Sequence, residues 1–182
     1  GVLSPKMGGP GVYPPQPASI TSEGTYGKFE WKTSEGEDRY RRSLYTFAKR
    51  STPYASSQTF DAPTGEACVA RREISNTPLQ SLVLLNDEVF FEAAQALGTT
   101  IAAHPGTPEE KLRFGFMRCL SRPPAPAETA RLLAFRQAQS QRLESGDLKL
   151  AQLMPTGSTI EQASWMTVAR VLLNLDETIT KN

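Results

Sequence analysis

The sequence predicts a mostly α-helical fold, in which an irregular N-terminal arm rich in proline and glycine precedes a bundle of about five to six helices. Capping-box patterns occur at Thr77, Thr107 and Ser158, each ahead of an apolar stretch, and such boxes mark the first turns of helices. No stretch shows the regular alternation typical of strands. Residues 8–17, GGPGVYPPQP, cannot be helical, because proline removes backbone donors and clashes with a helical turn.

The two regions divide the chain into an arm over residues 1–35 and a helical domain over residues 36–182. Consecutive prolines favour the extended polyproline-II conformation. The aromatic residues Tyr13, Phe29 and Trp31 favour an arm that packs on the protein over a free tail, because large aromatic side chains gain most from burial. The helical domain is either complete or the C-terminal portion of a larger domain.

A first helix is predicted over residues 37–50. Tyr40, Leu44 and Phe47 lie at positions i, i+4 and i+7, which places them on one helical face. A Ser-Thr-Pro sequence ends this helix, because the residue before proline avoids helical geometry. Residues 54–69 are then expected to form a loop.

The middle of the chain is predicted to carry two consecutive helices. Before them, the turn sequence FDAPTGE places Asp61 where its carboxylate can accept from a backbone N–H two residues further on. The helix over residues 78–86 is apolar on nearly every face, so it should be buried. Asp87 breaks the pattern and is positioned to cap the next helix, residues 88–103.

Three further helices are predicted in the C-terminal part, over about residues 107–120, 128–143 and 158–175. Their inward-facing residues follow the helical period and include Leu112, Phe116, Leu120, Leu132, Leu133, Phe135, Met166, Ala169, Leu172 and Leu173. Trp165 is expected at the flank of the last helix. Residues 146–157 fit only a short turn.

Composition excludes several classes of function. The net charge is +1, whereas general nucleic-acid and anionic-membrane binders depend on excess positive charge. No apolar run reaches the roughly 18 to 20 residues that span a bilayer. His104 is the single histidine and is expected at a solvated helix end, and no set of residues has metal-ligand spacing. Cys68 and Cys119 either form one disulfide or remain two small buried thiols.

The strongest candidates for a binding site are charged and polar residues of the segment 36–86. They are Asp38, Arg41, Arg42, Asp61, Arg71, Arg72, Glu73 and Asn76. Arginine stays charged in proteins, and its planar fork suits carboxylates and phosphates. One interpretation pairs these arginines with Asp38, Asp61, Glu66 and Glu73 in an internal network. The other directs them at an anionic or sugar ligand stacked on Tyr54 or Phe60.

Five separated motifs resemble one bacterial domain family of unknown function that is abundant in planctomycetes. The motifs are GGPGVYPPQP, GEDRYRRSLYTFAKR, FDAPTGEACVARRE, SNTPLQSLVLLND and WMTVARVLLNLDE. Members of that family usually form the C-terminal part of large exported proteins that also carry a planctomycete-type cytochrome c domain. The resemblance implies that this chain is the C-terminal portion of the family domain, with an exposed apolar patch where preceding helices of the same protein would pack.

The resemblance also implies an extracytoplasmic location, in the periplasm or at the cell surface, and haem elsewhere in the parent protein, with no cofactor in this chain. It assigns no catalytic residues. We therefore expect an accessory or binding domain whose partners are the N-terminal part of the same protein, a glycan or another protein. The alternative is part of an extracytoplasmic redox or carbohydrate-processing enzyme, with the arginines and aspartates lining its site.

Overall fold

The computed structural model describes residues 1–17, 30–49, 53–63, 65, 67–71 and 74–180. These residues contain eight α-helices, which are α1 Ala55–Thr59, α2 Pro78–Asn86, α3 Glu88–Ala103, α4 Pro108–Leu120, α5 Pro126–Ser145, α6 Leu150–Leu153, α7 Ile160–Leu173 and α8 Asp176–Ile179. Two 3₁₀ turns, Gly36–Tyr40 and Ser43–Tyr45, precede them. The predicted fold class, an irregular N-terminal region followed by helices, is confirmed. Within the described ranges no helix is long and apolar enough to cross a membrane.

The chain divides into two compact units between Val89 and Phe90, within the first turn of α3. We call Val2–Val89 the N-terminal unit and Phe90–Asn182, with which Gly1 is grouped, the C-terminal unit. The predicted division into an arm, residues 1–35, and a helical domain, residues 36–182, stays a prediction.

The C-terminal unit is built around α7, which contacts α4, α5, α6 and α8. Trp165, Met166 and Leu172 on this helix are fully buried, together with Ile101 of α3 and Phe116 of α4. The expected position of Trp165 at the flank is therefore wrong. Its indole is part of the hydrophobic core, and the guanidinium carbon of Arg136 in α5 lies 4.8 Å from the ring centroid in a cation–π contact.

Close packing of α3 on α7 depends on a glycine. A Cβ atom at Gly98 would lie 2.4 Å from the Cα atom of Met166, which is far inside van der Waals contact. The two backbones can approach this closely only because position 98 has no side chain.

Local capping signals determine where most helices begin. The Thr77 and Thr107 side chains each accept a hydrogen bond from the backbone N–H three residues on. In return, the side chain of Gln80 or Glu110 accepts from the backbone N–H of the capping threonine, as predicted. The third box lies one residue later than predicted, at Thr159 with Gln162. The Glu161 carboxylate is instead bound to Lys111 of α4 at 2.7 Å, so it cannot serve as the reciprocal cap.

The predicted helix over residues 37–50 is wrong. The segment holds two 3₁₀ turns joined by extended residues, with Arg41 at φ −71° and ψ 152°, and position 50 lies outside the described residues. Its backbone pairs with the arm, since Ser4 N–H donates to Tyr40 O at 2.9 Å and Phe47 N–H donates to Val12 O at 2.8 Å. A helix would consume those same groups internally, so the two patterns exclude each other.

The prediction that α2 is buried is also wrong. Of its nine residues only Gln80 is buried, while Leu79 and Leu82 are 57% and 55% exposed. The reason is the composition of the surrounding unit, in which Val12 is the one fully buried hydrophobic side chain among the described residues. The loop expected over residues 54–69 contains the short helix α1, which packs on α2. Asp87 caps α3 as predicted, accepting from the Val89 N–H at 2.9 Å.

Candidate functional site

Arg41 is the centre of a polar cluster in the N-terminal unit. Its extended backbone between the two 3₁₀ turns directs the side chain towards the arm, and only 1% of that side chain is exposed. A buried guanidinium requires hydrogen-bond partners, because burying an unpaired charge costs several kcal/mol or more.

The partners of Arg41 lie in the arm and in the segment that follows the arm. Nη1 donates to Asp38 Oδ1 at 3.2 Å and Nη2 donates to the Gly8 carbonyl at 2.6 Å. The guanidinium carbon lies 4.1 Å from the centre of the Tyr45 ring, a cation–π contact. The Nε atom is buried without a hydrogen-bond partner. Arg41 therefore binds the arm to the segment that follows it, while its Nε–H has no partner.

The electrostatics of this cluster favour its ionised form. Hydrogen bonds from Arg41 and then Lys6 hold the pKa of Asp38 below its ordinary value. The Tyr45 hydroxyl accepts from the Gly8 N–H at 3.0 Å, and this bond is the main cause of a lowered Tyr45 pKa. A carboxylate stabilised in this way is a poor general base or acid near neutral pH, so the cluster suits anchoring better than proton transfer.

Asp61 belongs to a second polar cluster, between α1 and α2. Its backbone is left-handed, with φ at +57°, and its carboxylate accepts from both the N–H and the hydroxyl of Ser75 at 2.8 Å. Gln80 extends the network, donating to Thr59 O at 3.0 Å and to Ser75 Oγ at 3.1 Å. Asp61 thus joins residues 14 positions apart, and the bond expected two residues on is not among those described.

Among the other sequence-predicted site residues, Arg42 contacts the Arg41 cluster through the Tyr45 ring. Arg42 is exposed, with its guanidinium carbon 5.7 Å from the Tyr45 ring centre. Arg71 and Asn76 are exposed, while Arg72 and Glu73 lie outside the described residues. Of the eight candidates, Asp38, Arg41 and Arg42 belong to one cluster and Asp61 forms the second. Whether any of them binds a ligand stays a prediction.

Metal-binding and thiol chemistry have little support in the described ranges. No group of three or more His, Cys, Asp or Glu side chains there is arranged to hold a metal ion. Cys68 and Cys119 are free thiols, and Cys68 is exposed, unlike the buried thiol expected as one alternative. Burial raises the pKa of Cys119, which keeps it protonated and unreactive. His104 is half-buried and stacks on Phe114 at 4.4 Å.

An aromatic cluster that sequence reasoning did not assemble joins two arm residues, Tyr13 and Trp31, to Phe47 and Tyr54. Trp31 stacks on Tyr54 with centroids 5.9 Å apart, and Tyr13 contacts both Trp31 and Phe47. Burial raises the pKa of the Tyr54 hydroxyl. The sequence feature that could have indicated this cluster is the combination of a Tyr-Pro-Pro motif with isolated large aromatic residues.

A saturated arginine in the C-terminal unit was also missed. Arg122 binds Glu128 through both Nη atoms at 2.8 Å and Glu177 through Nε and Nη2 at 2.7 Å. Nη1 also donates to the Pro123 carbonyl at 3.2 Å, so all five donors are used. The Arg122 bonds, followed by the Ala125 N–H, hold the pKa of Glu128 at about 2. Such saturation indicates a structural clamp.

A protein-family model matches most of the chain. The family model described as PSD1: Protein of unknown function (DUF1553) matches residues 1–136, which include the Arg41 and Asp61 clusters and all but the last of the five motifs quoted above. No curated protein and no solved structure matches the chain.

Proposed function

The chain belongs to the PSD1 family of proteins of unknown function (DUF1553), and on that premise we propose that it is an accessory, non-catalytic domain that docks on another part of an exported parent protein. Polar clusters in the N-terminal unit hold its own segments together, and large apolar side chains remain for a partner. The N-terminal part of the same polypeptide is the partner that we propose.

The observation that carries this proposal is the inverted distribution of apolar side chains in the N-terminal unit. One hydrophobic side chain, Val12, is fully buried among its described residues. Seven large ones are more than half exposed, namely Leu3, Met7, Leu44, Val69, Ile74, Leu79 and Leu82. Exposure of this kind is typical of surfaces that are covered in a larger assembly.

Helix α2 offers the best-defined part of such a surface. Leu79 and Leu82 are three residues apart and therefore share one helical face. Covering a leucine completely contributes about 1.5–3 kcal/mol, so two half-exposed leucines are a substantial anchor. A partner in the same polypeptide would be present at high effective concentration, which lowers the contact energy that docking needs.

Amide hydrogen exchange tests the proposal directly. We expect the backbone amides of residues 79–86 in α2 to exchange at least about tenfold more slowly in the full-length parent protein than in the isolated chain, because docking protects an exposed helix. The double change Leu79→Glu and Leu82→Glu should abolish that protection. Met117→Glu is the matched control, because Met117 is 46% exposed but lies in the C-terminal unit. Equal exchange in chain and parent would reject docking within the polypeptide.

A second candidate function is a ligand site for a small anion or a glycan, alone or within an extracytoplasmic redox or carbohydrate-processing enzyme. The observation that favours it is the unused Nε donor of Arg41, beside the exposed Arg42. A binding screen of anions and oligosaccharides against the full-length parent tests this function. Binding that survives both Arg41→Ala and Arg71→Ala would place the ligand elsewhere.

The cellular setting is part of the same proposal. Resemblance supports a parent protein located in the periplasm or at the cell surface, with haem on a separate domain. Fractionation of cells and the visible absorption spectrum of the purified parent test these two points independently. A parent recovered entirely in the cytoplasmic fraction would contradict the proposed location.

A further inference from the structure

The proline-rich part of the arm is stiff before it makes any contact. Pro14, Pro15 and Pro17 each fix φ near −65°. Proline also restricts the residue before it to extended geometry, which here applies to Tyr13, Pro14 and Gln16. A segment of this kind forms no internal hydrogen bonds in the polyproline-II conformation, so its carbonyl groups are available to a partner.

Two aromatic side chains bind those carbonyls. Trp31 Nε1 donates to Pro14 O at 2.8 Å, and the Tyr54 hydroxyl donates to Pro15 O at 3.1 Å. The two rings are parallel within 4°, and Pro15 is buried. The carbonyls of Pro14 and Pro15 therefore each accept a hydrogen bond from one of two stacked aromatic side chains, Trp31 and Tyr54.

Tyr13 adds a third point of recognition next to this pair. Its ring meets Trp31 edge-on at 5.2 Å and Phe47 at 5.1 Å. Its N–H donates to Ser34 Oγ at 3.0 Å, and its carbonyl accepts from the Ser34 N–H at 2.8 Å. The positions of both the side chain and the backbone of Tyr13 are thus fixed by contacts with Trp31, Phe47 and Ser34.

Aromatic grooves whose tryptophan and tyrosine edges donate to backbone carbonyls are the general means by which proteins recognise proline-rich segments. We propose that Trp31, Ser34, Phe47 and Tyr54 form a recognition pocket for an extended Tyr-Pro-Pro segment, which residues 13–15 of this chain occupy here and which the same segment of a second copy of the chain can enter. The inference is independent of the proposed docking through α2.

Two features of the bound segment would allow the same segment of a second copy to replace it in the pocket. Every pocket residue lies at least 17 positions along the chain from the arm residue that it binds, so the contacts do not depend on local chain geometry. The buried Gln16 Oε1 has no hydrogen-bond partner, which weakens the hold on the end of the segment. The covalent arm nevertheless has an effective concentration of about millimolar, so a separate peptide competes poorly until the arm is altered.

The test uses the whole 182-residue chain with the changes Tyr13→Gly, Pro14→Gly and Pro15→Gly. These changes empty the pocket and leave the pocket residues themselves unchanged. The probe is a synthetic peptide of residues 11–17, GVYPPQP, and the control peptide is GVYAAQA. Calorimetry should show saturable binding of the first peptide, at least about tenfold tighter than its binding to the unaltered chain. Adding Trp31→Phe, which removes one donor and retains a ring, should weaken binding by about 2- to 10-fold.

Two results would overturn the proposal: no binding of GVYPPQP at millimolar concentration, or equal binding of the two peptides. A measurement on a milder variant covers the case in which the triple variant does not fold. Exchange of the Trp31 indole N–H should become at least about tenfold faster with Pro14→Ala and Pro15→Ala. Pro5→Ala, at an exposed proline of the same arm, should leave that rate unchanged. No acceleration by the double change would also refute the pocket.

Discussion

The two units of this protein are stabilised by different kinds of contact. The C-terminal unit buries fourteen hydrophobic residues in one core around α7. The N-terminal unit buries one, Val12, among its described residues, and depends on the Arg41 cluster, the Asp61–Ser75–Gln80 network and the aromatic contacts of the arm. Apolar packing tolerates approximate chemistry but not loss of volume, whereas a polar network depends on each individual partner.

Arginine illustrates the difference within a single residue type. Arg122 is one-third exposed and uses all its donors on two glutamates and a carbonyl. Arg41 is almost completely buried, shares one carboxylate and one carbonyl, and leaves Nε unused. The first ties helices that already share a core. The second is a buried link between the arm and residues 36–47, in a unit that buries little apolar surface.

The largest effect should come from removing volume in the core. Leu112→Ala deletes a completely buried side chain and should lower the free energy of unfolding by about 2–5 kcal/mol. Chemical denaturation followed by circular dichroism measures this loss. A loss below about 1 kcal/mol would show that the C-terminal unit does not depend on this packing.

Arg41→Ala should lower stability by about 1.5–3 kcal/mol, because it removes charge-assisted bonds to Asp38 and Gly8. Asp38 is 42% exposed, so its charge can be rehydrated and the loss stays moderate. Hydrogen exchange should become faster at the amides of Gly8 and Val12 and stay unchanged in α7. Arg42→Ala is the matched control at an exposed neighbour, with an expected change of less than about 0.5 kcal/mol. Equal effects of the two changes would contradict the anchoring role.

Gly98→Ala tests whether α3 and α7 must touch. Helix propensity alone predicts a gain of about 1 kcal/mol. The contact at 2.4 Å to the Met166 backbone predicts instead a loss of about 1–3 kcal/mol from overpacking. Thermal unfolding gives the sign. A stabilised variant would mean that the two helices can separate without cost.

Acid should weaken the C-terminal unit through Glu128. Its pKa is about 2 in the folded protein against an ordinary value of 4.5. The contribution is therefore fully present above pH 4.5 and is lost as pH falls from 4.5 through about 2. Urea unfolding across this range should show a smaller decline for Arg122→Met than for the unaltered chain. Parallel declines would show that Arg122 is not the cause.

The smallest effect should follow Leu82→Ala, the exposed counterpart of Leu112→Ala. Because Leu82 is 55% exposed in α2, we expect a change within about 0.5 kcal/mol in the isolated chain. The same change in the parent protein should cost more if another segment covers α2. Denaturation of both forms makes the comparison, and equal costs in the two forms would weaken the docking proposal.

Sequence patterns located the helices that are encoded locally and failed where a distant segment intervenes. The boxes at Thr77 and Thr107 were predicted because cap and partner lie three residues apart. Residues 37–47 carry a helical stripe but pair with an arm 33 to 37 positions away. Asp61 was chosen as a site residue for its charge, and its actual partner, Ser75, has no signal in the sequence. The full set of Arg122 partners has no local signal, because Glu128 lies six positions away and Glu177 lies 55 positions away.

The sequence by itself determined the helical class, most helix starts, the break at Asp87 and a stiff arm, because backbone geometry and capping act over a few residues. Tertiary structure decided which faces are buried, and it exposed α2, buried Trp165 and converted the first predicted helix into turns bound to the arm. The reason is that burial and hydrogen bonding depend on which segments meet in space. An arginine guanidinium or an aromatic ring can contact many different partners, and only the fold determines which of them lies beside it.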